Sequence, residues 1–200
     1  MGVDMEWVRR AFGGRELGAL SPAPPGRHAV VAALLRDSPA GAEVLLIRRA
    51  EHELDPWSGH MALPGGHVDA GDESLVATAV REIAEEVGLD LLGHAQLIGR
   101  LPELVASPAQ LTIVPLVFAL ATGHEPRANP SEVAEVLWAT LDHLRSPSAK
   151  SSHEHLVQQQ RHRFPAFDVR GRIVWGLTYR ILGNLLSTLD PPSAPGAVEP

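Results

Sequence analysis

An α/β fold is predicted by two patterns that interleave along the chain. Apolar runs of strand length occur at residues 29–35, 44–47 and 112–121. Residues 73–87 repeat apolar side chains at helical spacing, which predicts an amphipathic helix that is capped by Asp72 and ended by Gly88. Because both patterns lie within 200 residues, a single α/β domain with a sizeable core is expected.

The other elements follow from the same patterns and from the turn residues that separate them. They are a short helix at 5–12, a turn at 37–41, strands at 97–101 and 133–138, a short helix at 141–144, a peripheral hairpin within 153–167 and a helix at 175–189. Prolines favour a linker before residue 27 and disorder at the chain end. The expected organisation is a helix and linker over residues 1–26, a folded domain over 27–189 and a disordered tail over 190–200.

The composition excludes several classes of protein. There is no cysteine, so disulfides, thiolate metal sites and cysteine nucleophiles are excluded. The net charge of -7 and the lack of a basic run argue against nucleic-acid binding, including messenger-RNA decapping. No apolar run predicts a secretory signal or a membrane span, so a cytoplasmic protein without membrane contact is expected.

The strongest chemical signal is a group of three glutamates on one side of the predicted helix. Glu82, Glu85 and Glu86 lie opposite its apolar face. Adjacent like charges destabilise a helix by a few tenths of a kcal/mol per pair, and hard oxygen ligands at this spacing suit Mg²⁺ or Mn²⁺. Upstream, Gly65 and Gly66 allow the backbone to approach a ligand closely. The alternative interpretation is a solvated acidic face.

This segment resembles the Nudix box, whose pattern is Gly, five residues, Glu, seven residues, Arg-Glu-aliphatic-x-Glu-Glu-x-Gly-aliphatic. Residues 81–89 match the second half at every specified position. The first half is one residue longer, so either Asp72 or Glu73 takes the place of the first acid. The resemblance implies a Nudix-type α/β/α sandwich with a mixed central sheet.

The resemblance also implies the metal site and its cofactor. It implies Mg²⁺ as the cofactor, with Mn²⁺ also accepted. It implies that Arg81 holds a glutamate in place. The implied metal ligands are Glu82, Glu85, Glu86 and the Gly66 carbonyl.

Hydrolysis of a diphosphate requires a general base within hydrogen-bond reach of the attacking water. Glu103, Glu132 and Glu135 are candidates from outside the box, and we expect Glu132 to be the base. A box glutamate is the alternative base. The alternative for each outside glutamate is a solvated surface acid.

Substrate contacts are expected from residues that precede the glycine pair. Arg48 and Arg49 suit substrate phosphates, since a guanidinium matches their geometry. Trp57 and His60 suit stacking on a base. The alternatives are surface ion pairs for the arginines and core packing for Trp57.

Two histidines alternate on the predicted peripheral hairpin. His153 and His155 are expected to point the same way. A metal site of two histidines lacks a third ligand, so surface positions are favoured.

The longer first half of the box is similar to that of the coenzyme A diphosphatase subgroup, where Gly-Gly-x-x-Asp-x-x-Asp is common. Residues 65–72 fit this form, and residues 173–178 resemble the subgroup's Trp-Gly-x-Thr helix. The upstream signature departs at Leu54, which stands where a second arginine belongs. The resemblance implies a small-molecule nucleotide substrate: coenzyme A or acyl-coenzyme A, or alternatively ADP-ribose or a dinucleotide. The alternative from another functional class is a catalytically silent Nudix-fold binding module. The resemblance is also compatible with a homodimer, since members of the family often dimerise.

Overall fold

The computed structural model describes residues 2–18, 20–21, 27–53, 55, 57–106 and 110–190. The helices are α1 (Met5–Phe12), α2 (Leu75–Val87), α3 (Leu91–His94), α4 (Leu141–Arg145) and α5 (Gly176–Leu189), with a 3-10 turn at Pro147–Ala149. The strands are β1 (His28–Ser38), β2 (Gly41–Arg49), β3 (Met61–Ala62), β4 (Gly65–His67), β5 (Ala95–Arg100), β6 (Leu104–Ala106), β7 (Leu111–Leu120), β8 (Val133–Thr140), β9 (Lys150–Val157), β10 (Gln160–Val169) and β11 (Arg172–Trp175).

The central sheet mixes parallel and antiparallel strands around β1. This strand runs parallel to β7 and antiparallel to β2 and β4. Strand order is β3-β2-β1-β7-β5, with β8 paired to β2 and β6 paired to β7. The β9–β10 hairpin joins β11 in a separate antiparallel sheet, which confirms the predicted peripheral hairpin.

Helices cover both faces of the central sheet. Alternate residues of β1 point to opposite sides, so each face of the sheet contributes to a separate hydrophobic core. Ala33 and Leu35 join one core with α1, α4 and α5. Ala32 and Leu34 join a second core with α2. Each fully buried leucine contributes roughly 1.5–3 kcal/mol through the hydrophobic effect. The arrangement confirms the predicted α/β/α sandwich with a mixed sheet.

The predicted C-terminal end of α2 is confirmed, whereas its predicted N-cap is wrong. Gly88 adopts a left-handed conformation with φ 63° and ends the helix. The N-cap is Ser74, whose side chain accepts a hydrogen bond from the Ala77 amide. Asp72 lies before the cap because its carboxylate is bonded to other groups, described below.

The predicted helix at Met5–Phe12 is confirmed, and it belongs to the packed core. Val8 and Phe12 are buried together with residues of β1 and α5. The chain before α1 is also fixed, since the Ala42 amide donates to the Val3 carbonyl at 2.7 Å. Residues 22–26 of the predicted linker and 191–200 of the predicted tail lie outside the described residues.

Five short elements of the described chain were not predicted: α3, β3, β4, β6 and β11. The first is a single turn in which the Asp90 carboxylate accepts from the Gly93 amide at 3.1 Å. None of the helices in the described part of the chain is long and apolar enough to cross a membrane.

Candidate active site

Glu86 is a buried acid in the last turn of α2. It is 4% exposed, and its Oε2 accepts a hydrogen bond from the Gly65 amide at 2.8 Å. Burial raises the pKa of Glu86 to about 8, and repulsion from Glu82 and Glu132 adds to the rise. A carboxylate in this place is ionised only if a cation compensates for its lost hydration.

The glycine pair brings the backbone of β4 against β1 and α2. Gly65 has φ 141°, and a Cβ there would overlap the Val30 carbonyl. Gly66 follows it, and a Cβ there would lie 2.5 Å from Cδ of Glu82. Because neither glycine has a side chain, the Glu82 and Glu86 carboxylates can lie directly beside the β4 backbone.

Arg81 ties the acids of the box to one another. Its guanidinium donates to Glu82 at 2.8 Å and to Glu85 at 3.2 Å. It also donates to the His67 carbonyl at 2.9 Å and to Asp72 at 3.0 Å. These hydrogen bonds, above all the one with Asp72, raise the pKa of Arg81, so that its charge is permanent.

The first acid of the box is Asp72 rather than Glu73. The Asp72 side chain is 7% exposed, pairs with Arg81 and accepts from the Thr78 hydroxyl at 2.8 Å. The hydrogen bond from Arg81 holds the pKa of Asp72 at about 2, below its usual value of 3.8. Glu73 is exposed, and the extra residue is taken up by a turn in which the Asp72 amide donates to the Asp69 carbonyl.

We expect Asp72→Asn to lower the free energy of unfolding by about 2 kcal/mol at pH 7. The lowered pKa means that Asp72 stabilises the fold fully above pH 3.8 and that this contribution disappears as pH falls through about 2. The variant should therefore differ from the wild type less and less between pH 4 and pH 2. Urea unfolding across this range measures the difference. A gap that is constant with pH would contradict the ion-pair role, and Glu73→Gln serves as the control.

The three glutamates of the box differ in their surroundings. Burial raises the pKa of Glu82 against the opposing effect of Arg81, and the Glu85 side chain is 49% exposed. In the described part of the chain, no three acidic or histidine side chains have the geometry of a complete metal site. Glu82 and Glu85 are instead neutralised by Arg81. The donor set nevertheless fits a hard divalent cation, since buried carboxylate oxygens lie beside exposed ones and a side-chain-free backbone.

Comparison with known proteins identifies the family. Residues 26–160 match the NUDIX domain model. The chain belongs to the Nudix family. The uncharacterized Nudix hydrolase NudL of Photorhabdus laumondii is 32% identical over 170 residues, which cover 82% of this chain and 89% of the relative. NudL of Pectobacterium atrosepticum is 33% identical over 141 residues, which cover 70% and 72%.

A solved structure agrees with the Nudix fold. A MutT/nudix family protein from Enterococcus faecalis superposes with a TM-score of 0.51 at 16% identity, covering 94% of this chain and 73% of that one. At this identity the similarity supports the fold alone. The Nudix family predicted from the sequence is confirmed by this match, and the chain is an enzyme of the Nudix hydrolase class.

The loop before β8 carries Glu132 and is hydrogen-bonded to α2 through Asn129. The Asn129 amide donates to the Glu86 carbonyl at 2.9 Å, and its side chain donates to the Glu85 carbonyl at 3.0 Å. The Asn129 side chain also lies 3.4 Å from Glu132 Oε1. Burial is the main cause of the raised pKa of Glu82 and of Glu86, and the charge of Glu132 adds to both.

The other two candidate bases of the Nudix site are already paired with arginines. Glu103 forms an ion pair with Arg100. Glu135 accepts from Arg172 at 2.9 Å and from Arg48 at 3.4 Å, and the Arg172 hydrogen bond lowers the pKa of Glu135. Both therefore form ion pairs, whereas Glu132 forms none within the described residues.

The two predicted phosphate contacts, Arg48 and Arg49, are also in ion pairs. Arg48 pairs with Glu135, and Arg49 pairs with Asp55 at 2.7 Å. The charge of Arg49 opposes the rise in the pKa of Glu86, which burial dominates. Both arginines thus form ion pairs, and their contact with substrate phosphates stays a prediction.

Trp57 and His60 belong to a cluster of aromatic rings. Trp57 is 53% exposed, so the alternative of core packing is wrong. Its ring centroid lies 5.6 Å from that of His60. His153 and His155 are close to each other, with ring centroids 6.0 Å apart, and they face His60. Trp175 also joins them, which was not predicted because it follows the hairpin in a separate strand.

Proposed function

We propose that this Nudix hydrolase cleaves the diphosphate linkage of a nucleoside diphosphate derivative and requires Mg²⁺, with Mn²⁺ also accepted. The residues that would hold the metal are Glu82, Glu85, Glu86 and the Gly66 carbonyl. The observation that carries the proposal is the burial of Glu86 against the Gly65 amide, beside two further acids. This arrangement is unfavourable for folding alone and suits a bound divalent cation.

Bound ions would supply charge neutralisation of the diphosphate and would make a nearby water more acidic. Glu132 would take a proton from the attacking water, whose oxygen forms a new bond to one phosphorus. The bond between this phosphorus and the bridging oxygen breaks, and the second phosphate leaves with the electron pair. Two phosphate monoesters result, and Arg81 keeps Glu82 and Glu85 in position throughout.

Within this class, coenzyme A or acyl-coenzyme A is the proposed substrate. The spacing at residues 65–72 and the sequence at 173–178 support it. ADP-ribose and dinucleotides are the alternatives, because the upstream signature of the coenzyme A subgroup lacks its second arginine at Leu54. Arg48, Arg49, Trp57 and His60 would contact whichever nucleotide binds.

A substrate panel with and without EDTA tests the proposal. We expect the full chain with Mg²⁺ to convert coenzyme A, ADP-ribose or a diadenosine polyphosphate into two phosphate-containing products, identified by mass spectrometry. EDTA should lower the rate at least about 10³-fold, since several kcal/mol of charge stabilisation are lost, and added Mg²⁺ should restore it. Equal rates in EDTA would refute metal dependence. Binding without turnover of any member would favour the silent binding module.

A further inference from the structure

The C-terminal end of α2 is capped by a segment that lies about 40 residues further along the chain. The last four carbonyls of a helix have no partner within the helix itself. In α2 the first of these, that of Ala84, accepts from the Gly88 amide at 3.1 Å. The other three accept hydrogen bonds from the capping segment, residues 127–129, where the Arg127 amide donates to the Val87 carbonyl at 2.8 Å.

Asn129 makes the remaining two of these bonds, one with its backbone and one with its side chain. Its amide donates to the Glu86 carbonyl, and its Nδ2 donates to the Glu85 carbonyl. Both glutamates are proposed metal ligands. Asn129 therefore fastens the capping segment to the turn of α2 that carries the carboxylates.

The same asparagine organises the turn that leads to Glu132. Its carbonyl accepts from the Glu132 amide at 3.0 Å and from the Val133 amide at 2.8 Å. Its Oδ1 accepts from the Ser131 hydroxyl at 2.8 Å, and its Nδ2 makes a longer contact of 3.4 Å with Oε1 of Glu132. The side chain thus uses its donor toward the helix and its acceptor toward the turn.

The end of β2 holds the other side of the Glu132 backbone. The Glu132 carbonyl accepts from the Ala50 amide at 2.8 Å. Next to this bond, the register between β2 and β8 shifts at Arg48 and Arg49, and such a bulge redirects the side chains of a strand. The Glu132 backbone is therefore fixed from two sides, while its side chain is exposed to water.

Stabilisation of the helix end alone does not explain the side chain of Asn129. Its bond to the Glu85 carbonyl is exposed, so water is available to replace it. One such hydrogen bond contributes only about 1 kcal/mol net to folding. What water cannot replace is a link of fixed length between the helix and the turn that carries Glu132.

We propose that Asn129 is a positioning residue that acts through Glu132, by holding this carboxylate at a fixed distance from those of α2. The proposal rests on the proposed function, in which Glu132 is the general base. A general base works only within hydrogen-bond reach of the proton that it takes. A misplacement of about 1 Å costs on the order of 10²-fold in rate, so a loose turn would be expensive for catalysis.

Steady-state kinetics with Mg²⁺ test this role, on whichever of coenzyme A, ADP-ribose and diadenosine polyphosphate the wild type hydrolyses fastest. Asn129→Ala should lower kcat about 10- to 100-fold and change KM less than about threefold. Asn129→Asp keeps the shape and the acceptor for Ser131 but loses the donated side-chain bonds, so an equal or larger loss is expected. Ser131→Ala is the matched control, because it removes a hydroxyl from the same turn and leaves the bonds donated by Asn129 intact.

A double-mutant cycle with Glu132→Gln separates positioning from general damage to the fold. Glu132→Gln alone should lower kcat about 10²- to 10⁴-fold, the range of general-base catalysis. Addition of Asn129→Ala to this variant should lower kcat less than about twofold further, because the group that Asn129 positions is already disabled. Losses that multiply would show that Asn129 supports the fold alone and would overturn the proposal.

Amide hydrogen exchange of the metal-free chain tests the link without catalysis. Asn129→Ala should accelerate exchange of the Glu132 and Val133 amides about tenfold, the equivalent of one or two lost hydrogen bonds, and Ser131→Ala should accelerate it less. Unchanged exchange or unchanged kcat in Asn129→Ala would overturn the role of Asn129 and leave the proposed function standing. Accelerated exchange in a chain that hydrolyses no diphosphate would leave the link standing and refute the proposed function.

Discussion

Glu86→Gln is expected to lower turnover on the order of 10³-fold while leaving the fold intact. Glutamine has nearly the same shape, and its side-chain oxygen can still accept the hydrogen bond from the Gly65 amide. The charge that would bind a divalent ion is lost, and with it the stabilisation of the transition state. Steady-state kinetics with saturating Mg²⁺ measures the loss. Thermal unfolding should show a Tm equal to or above that of the wild type, because a buried carboxylate has been replaced by a neutral group.

Glu73→Gln is the matched control for this experiment. It makes the same chemical change in the same segment, on an exposed acid that precedes α2 and stands next to the acid that pairs with Arg81. Its rate should equal that of the wild type. Turnover retained in Glu86→Gln would refute the metal site, and a loss of equal size in Glu73→Gln would show that the effect is not specific to the buried position.

Several features that depend on neighbouring residues in the chain were predicted correctly. The helical repeat ending at Gly88 and the hairpin of β1 and β2 are set by spacing and turn residues, which the sequence shows directly. The pattern from Arg81 to Leu89 indicated the family for the same reason, since its acids share one helical turn.

The features that depend on contacts between distant segments were not predictable. The sequence indicates Asp72 as the helix cap, but Arg81 and Thr78 bind its carboxylate, and Ser74 caps the helix instead. The meeting of Trp57 with His155 likewise depends on how two sheets pack against each other. The spacing of residues along the chain does not show which of these contacts forms.

Gly66→Ala is expected to lower turnover about 10²-fold with little change in stability. The glycine has no left-handed φ, so alanine fits its backbone, but the new Cβ would lie 2.5 Å from Cδ of Glu82. The end of a flexible side chain can move away at small energetic cost, so the fold should survive. The displaced Glu82 carboxylate would no longer lie beside the Gly66 backbone, and a misplacement of about 1 Å in an active site costs on the order of 10²-fold in rate.

Gly71→Ala is the matched control, because a Cβ at Gly71 meets no atom within 4 Å and its φ is also ordinary. Both variants should gain slightly from the lower entropy of the unfolded chain, so their melting temperatures should agree closely. Comparison of kcat at saturating Mg²⁺ then isolates the position of Glu82. Equal activity in the two variants would show that the close approach of β4 to α2 serves packing alone. A selective loss in Gly66→Ala would show that the glycine is needed because the carboxylate occupies the space where a side chain would be.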